Sequence, residues 1–144
     1  MRLITFRDGK PSLGDIDMPM LLSYIELLKN SSGINVSKSK VIYQVLYDDA
    51  PLSVSFIGVE AGVFSFDIIT APRHSNKGYA KRLVLNCVSK FEEECKTKDL
   101  RMVVDVVNPV MRKLLLDLGF KIVYKQLYTE ESTSVFMEYK SLWH

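Results

Sequence analysis

The sequence predicts a mixed α/β fold: one mostly antiparallel sheet with a central parallel strand pair and helices on both faces. Three observations predict it. Three β-rich runs, Lys40–Tyr47, Leu52–Glu60 and Val63–Thr70, follow one another through short turns, as in an antiparallel meander. An amphipathic helical stretch opening at Gly78 separates Val63–Thr70 from the apolar run Leu100–Val107, a strand–helix–strand connection that sets those two strands parallel. A second helix then leads into a closing β-hairpin, so both strand-rich and helix-rich segments must share one core.

In chain order, Leu3–Phe6 is a short first strand, and Asp8-Gly9-Lys10-Pro11 is a turn. Pro19 suits the first turn of a helix, and Met20, Leu21, Tyr24, Ile25 and Leu28 recur at helical spacing until Asn30-Ser31-Ser32-Gly33 stops them. Ser31–Lys40 is a polar loop. Asp48-Asp49-Ala50-Pro51 and Ala61-Gly62 are the turns of the meander, and Gly58 marks a bulge in its second strand. After Gly78, Ala80, Leu83, Val84, Cys87, Val88 and Phe91 form one stripe, with Lys81, Arg82, Ser89, Lys90, Glu92 and Glu93 elsewhere. Leu100–Val107 reads as a central strand with both faces largely covered. Asn108 is the N-cap and Pro109 the first residue of the next helix; Met111, Leu114, Leu115 and Leu118 line it, and Gly119 ends it. Phe120–Leu127 and Thr133–Tyr139 make the final hairpin around Thr129–Ser132.

At 144 residues, a single domain over 1–144 is expected, large enough to bury a good core. Cys87 and Cys95 lie eight positions apart in one helix, about 12 Å along its axis, too far for a disulfide. Reduced thiols point to a cytoplasmic protein. Neither a signal-peptide core nor an apolar run long enough for a bilayer is seen, so no membrane partner is expected. Net charge is +2 but uneven. Residues 73–121 carry 11 Lys/Arg against 6 Asp/Glu, +5, whereas residues 1–72 carry 6 against 8, −2. The excess suits a polyanionic small ligand; a nucleic-acid partner would want a more basic domain with a clear stripe. No His/Cys/Asp cluster has metal-ligand spacing, so no metal is expected.

Strand, basic glycine turn, helix is the layout that makes an anion cradle from backbone N–H groups, because the first four of a helix have no partner within it. Here the turn runs from Pro72 to Lys77 and Gly78 opens the helix. Two acids, Asp67 and Asp105, stand in otherwise apolar strands. Alternation puts Asp67 on the face of Ile69 and Asp105 on the face of Val103 and Val107. Each reads either as a site residue or as a strand-end residue reaching solvent.

Over Ile68–Phe120 the chain resembles the GCN5-related N-acetyltransferase (GNAT) superfamily. That family's turn, Arg/Gln-x-x-Gly-x-Gly/Ala, corresponds to Ser75-Asn76-Lys77-Gly78-Tyr79-Ala80, with Ser75 in the place of the usual Arg or Gln. A second signature corresponds to Asn108, Leu114, Gly119 and Phe120, with Leu115 where many members carry a tyrosine acid. The resemblance implies a GNAT-like acyl-CoA N-acyltransferase moving an acetyl group from acetyl-CoA to a primary amine of a small molecule or protein. It implies that Arg73, Ser75, Asn76, Lys77, Gly78, Tyr79 and Ala80 hold the coenzyme pyrophosphate. The strand end Ile69, Thr70 and Ala71 would take the pantetheine, an N–H near Ile69 or Thr70 the oxyanion, and Asn108 would also touch the coenzyme. Asp105 and Asp67 are the candidate bases; Tyr124, Tyr79 and Tyr128 are candidate acids, Tyr124 foremost. A homodimer is left open. Two other readings stand beside this one: a non-catalytic acyl-CoA-binding module on the same fold, and a basic nucleic-acid-binding domain.

Overall fold

A computed structural model of the chain describes residues 2–7, 19, 23, 26–27, 42–48, 51–70, 77–127 and 133–143. Its strands are β1 (Arg2–Arg7), β2 (Ile42–Tyr47), β3 (Pro51–Glu60), β4 (Val63–Thr70), β5 (Arg101–Val106), β6 (Lys121–Leu127) and β7 (Thr133–Tyr139). Helix α1 is Tyr79–Cys95 and α2 is Pro109–Asp117. The strands form one mixed sheet in the order β1-β2-β3-β4-β5-β7-β6, with β4 and β5 parallel. Pro19, Ser23, Glu26 and Leu27 are helical, within the stretch where the sequence predicts the first helix. The rest of that helix and the Ser31–Lys40 loop lie outside the described residues.

The chain divides into two compact units, Met1–Gly58 with Phe66–Cys87 and Val59–Ser65 with Val88–His144. In the first, β1 pairs antiparallel with β2, and β2 with β3, where Val45 faces Val54. The β2–β3 register shifts between Leu46 and Tyr47: Leu46 pairs with Ser53 and Tyr47 with Pro51, so Leu52 is an extra residue. That extra residue is used for packing. Leu52, Leu46 and Leu83 of α1 form a buried cluster, with Ile68 and Tyr79 against it. Every residue of β3 from Pro51 to Ile57 is buried.

In the second unit, Ala61 and Gly62 both take positive φ, the pattern of a two-residue hairpin turn between β3 and β4. Val63 and Phe64 pair in parallel with Arg101 and Met102, and the Arg101 N–H donates to the Gly62 carbonyl at 2.9 Å. The core is a chain of rings. Phe64 meets Phe91 of α1 with centroids 5.5 Å apart, Phe91 meets Tyr139 at 6.2 Å, and Tyr139 meets Phe120 at 5.4 Å. Glu92, one position along, is half-buried and holds the segment after β7. Its carboxylate accepts from Ser141 Oγ at 3.0 Å and from the Leu142 N–H at 3.1 Å. Burial, with Glu92 beside it, pushes the Tyr139 hydroxyl pKa up.

One expectation is overturned here. Met102, Val104 and Val106 of β5 are buried, but Arg101 and Asp105 are exposed and Val103 is only half-buried. The strand is covered on one face. Valine is frequent in strands for its β-branched fit as well as for burial, so an apolar run overstates coverage. The charges at Arg101 and Asp105 were the truer signal, two strand periods apart.

Glu138 of β7 is buried, and its carboxylate accepts from Arg101 Nε at 2.8 Å. That bond holds its pKa below the ordinary value, against the opposing effect of burial. A carboxyl depressed in the folded state adds stability that is complete above its unfolded pKa of about 4.3 and is lost as pH falls through the folded value. The stability gap between wild type and Glu138→Gln should therefore be largest near neutral pH and shrink below about pH 4.3. Urea melts at a series of pH values check this.

Candidate functional site

Gly78 has φ +81, and the α1 hydrogen-bond ladder starts from its carbonyl, which accepts from the Arg82 N–H at 3.1 Å. The N–H groups of Tyr79, Ala80 and Lys81 precede that first bond, so the helix itself gives them no acceptor. Space is not what demands glycine: a Cβ on Gly78 would meet nothing within 4 Å. The demand is the positive φ, which turns the chain so that these N–H groups face outward from the helix start. No acid stands in the first turn of α1, and Lys77, Lys81 and Arg82 are exposed there. Helix dipole and side chains thus have one sign. Tyr79 packs its ring back onto the Leu46, Leu52 and Leu83 cluster, which anchors the first turn. Ala71, Arg73, Ser75, Asn76 and the neighbouring His74 lie outside the described residues, as does Tyr128.

The end of β4 is held by a residue that sequence reasoning missed. Ser53 is fully buried on β3; its hydroxyl donates to the Ile69 carbonyl at 3.2 Å and lies 2.8 Å from Thr70 Oγ1. A buried hydroxyl with two partners fixes the backbone it bonds. The legible signal was Ser53 and Ser55, two serines at strand spacing inside an apolar run. Asp67 is half-buried on the same strand as Ile69 and Thr70.

Asp105 and Tyr124 are brought together. Asp105 of β5 pairs with Phe136 of β7, and Phe136 pairs with Tyr124 of β6, so the three stand in one row across three strands. Asp105 is exposed, Tyr124 is 60% exposed, and the Tyr124 and Phe136 rings lie 5.8 Å apart at 50°. Phe136 was the other residue missed, since its place depends on the register of the hairpin.

Asn108 caps α2: its side-chain carbonyl accepts from the Val110 N–H at 2.8 Å and the Met111 N–H at 3.4 Å, with Pro109 as the first helical residue. Asn108→Ala should cost about 1 kcal/mol of stability, read from denaturant midpoints. The other end closes as a Schellman motif. Gly119 has φ +95, its N–H donates to the Leu116 carbonyl at 3.1 Å, and the Phe120 N–H donates to Leu115 at 3.0 Å. Leu115 is fully buried, so the position where the GNAT pattern often has tyrosine is spent on the core. Among the described residues no group of three His, Cys, Asp or Glu could hold a metal.

No protein-family model matches this sequence, and neither does any curated protein sequence. Solved structures do match. A variant of spermidine N-acetyltransferase from Vibrio cholerae is similar over 95% of this chain and 92% of that one, with TM-score 0.68 and 15% identity. An acetyltransferase of the GNAT family from Streptococcus pneumoniae is similar over 96% of this chain and 98% of that one, with TM-score 0.67 and 11% identity. A GNAT superfamily phosphinothricin acetyltransferase from Sinorhizobium meliloti, in complex with acetyl-CoA, is similar over 86% of this chain and 69% of that one, with TM-score 0.59 and 14% identity. With a seven-strand mixed sheet, its one parallel pair at β4 and β5, and α1 opening at a positive-φ glycine after β4, the chain has the fold of the GNAT acetyltransferases.

Proposed function

We propose that this protein is an N-acyltransferase that moves an acetyl group from acetyl-CoA to a primary amine of a small molecule or protein by direct attack. One observation carries the reading: α1 opens at Gly78 with φ +81, with N–H groups that its own ladder does not use and no acid in its first turn. That chemistry fits a pyrophosphate. The N–H groups of Tyr79, Ala80 and Lys81, with the ammonium groups of Lys77 and Lys81, bind it; Arg73, Ser75 and Asn76 extend the cradle. The backbone near Ile69, Thr70 and Ala71 pairs with the pantetheine, and Ser53 keeps that strand end in place. An N–H at Ile69 or Thr70 meets the charge that develops on the thioester oxygen as the amine attacks. Asp105 or Asp67 takes the amine proton, directly or through water, and Tyr124 returns one to the leaving thiolate. The buried thiols Cys87 and Cys95 fit a reducing compartment, the cytoplasm.

The test is a thermal shift with acetyl-CoA followed by thiol release across an amine panel. A ligand that binds only the folded state stabilises it by about 2.7 kcal/mol at one hundred times its Kd. No shift at millimolar acetyl-CoA would overturn the proposal. A second reading, an acyl-CoA-binding module without turnover, is favoured by Leu115, which fills the core where the pattern has an acid. A thermal shift with no thiol released by any amine would select it.

A further inference from the structure

One face of β5, β7 and β6 presents Asp105 and Tyr124 exposed, with Phe136 half-buried between them. On that face Asp105, Phe136 and Tyr124 stand side by side, and the next row holds Val103, Glu138 and Lys121. Tyr124 owes its place to an irregularity. Lys121 pairs with Glu138, Ile122 with Met137 and Tyr124 with Phe136, so the register shift absorbs Val123 as an extra residue. Strict alternation from Lys121 would have put Tyr124 on the other face. The bulge turns it back beside Phe136, and re-aiming a side chain is the use to which bulges near functional sites are put.

Three groups in that row share one electrostatic sense. A carboxylate is negative, and the faces of two aromatic rings carry the negative lobes of their quadrupoles. Strand spacing of about 4.8 Å puts the backbones of Asp105 and Tyr124 roughly 10 Å apart, with Phe136 between them. Two rings tilted at 50° make an apolar floor that also takes CH₂ groups. An organic ammonium on a hydrocarbon chain is what carboxylate and ring faces attract together. Roughly 7 Å along the strands the charge reverses. Arg101 is bonded to Glu138 there, and Lys121 adds a further positive charge. A second ammonium extending along the strands would meet that cation.

We propose that Asp105, Phe136 and Tyr124 bind the amine-bearing end of the acceptor, and that this row selects an alkyl or aralkyl primary amine with a single positive charge over a polyamine. The inference rests on the acyltransferase reading for its meaning, but its test does not need turnover. The ammonium is the form that arrives at neutral pH, and its proton leaves before attack.

Butyltrimethylammonium, which cannot be acylated, is titrated calorimetrically into the full chain. Saturable binding is expected, with Kd raised about three- to thirty-fold in Tyr124→Leu, Phe136→Leu and Asp105→Asn. Tyr124→Phe keeps the ring and should bind as wild type does. Asp105→Asn alters an exposed side chain and keeps the comparison open should an aromatic variant fail to fold. In steady state the same variants should raise KM for hexylamine and leave KM for acetyl-CoA unchanged, whereas a merely structural role would move both. Hexylamine should have a higher kcat/KM than spermidine. No saturable binding to wild type, or an unchanged Kd in all three variants, overturns the site; a preference for spermidine overturns the single-charge selection. Absence of acetyl-CoA binding alongside intact ammonium binding would sink the acyltransferase reading instead.

Discussion

Replacing Gly78 with valine should raise the Kd for acetyl-CoA at least tenfold and lower stability by more than about 2 kcal/mol. Gly78 sits at φ +81, a backbone conformation that costs an L residue roughly 1–2 kcal/mol and a β-branched one more. Nothing crowds its Cβ position, so packing will not add to the loss. The chain can relieve the strain only by rotating φ, and that rotation re-aims the N–H groups of Tyr79, Ala80 and Lys81. Stability and affinity should therefore fall together, with Gly78→Ala intermediate. Lys77→Ala is the contrast: it removes charge without touching backbone, so its effect should be a few-fold at low salt and fade as salt screens it. Calorimetric titration with acetyl-CoA, with denaturant melts on the same variants, separates the two. An unchanged Kd for Gly78→Val would mean that the pyrophosphate is held elsewhere.

Phe91→Ala should be the most damaging single change to stability, about 3–5 kcal/mol. The ring is 1% exposed and stands between Phe64 of β4 and Tyr139 of β7, with Phe120 behind Tyr139. Truncation leaves a cavity lined by rigid rings that cannot collapse into it, and it breaks two edge-on ring pairs worth about 0.5–1.5 kcal/mol each beyond their buried area. Against a typical domain stability of about 5–15 kcal/mol the loss is a large share. Phe91→Leu keeps most of the volume and should cost clearly less. Urea midpoints with unchanged slopes measure both. A drop under about 1 kcal/mol for Phe91→Ala would show that the ring chain is not the main support of its unit.

What could be read from the sequence was chemistry that acts within a few residues. Asn108, Pro109 and Gly119 mark the ends of α2 because caps bond to their own neighbours, and the structure shows those bonds. Gly78 was legible for the same reason. The parallel β4–β5 pair followed from the handed connection through α1. What failed needed knowledge of a partner strand. The single covered face of β5 was masked by valines at 103 and 107, and the extra residues Leu52 and Val123 exist only relative to the strands they slip against. Asp105 and Tyr124 were legible as separate candidates, but their shared row with Phe136 depends on the slip at Val123. Ser53 was hidden because its partners, Ile69 and Thr70, lie 16 and 17 positions away.

The slip at Val123 bears on solubility as well. β6 ends the strand order of the sheet, and Ile122, Val123 and Tyr124 are all exposed on it. A straight edge with such residues is a template on which another sheet can grow. The extra residue breaks the even spacing of the edge N–H and C=O groups, and Lys121 and Lys125 flank it with charge. In register terms Val123 is spare, because removing it leaves Tyr124 opposite Phe136. As a gatekeeper it has an expected consequence: a chain lacking Val123 should keep its fold and its row of side chains, and should scatter more light on concentration as its evenly spaced edge associates.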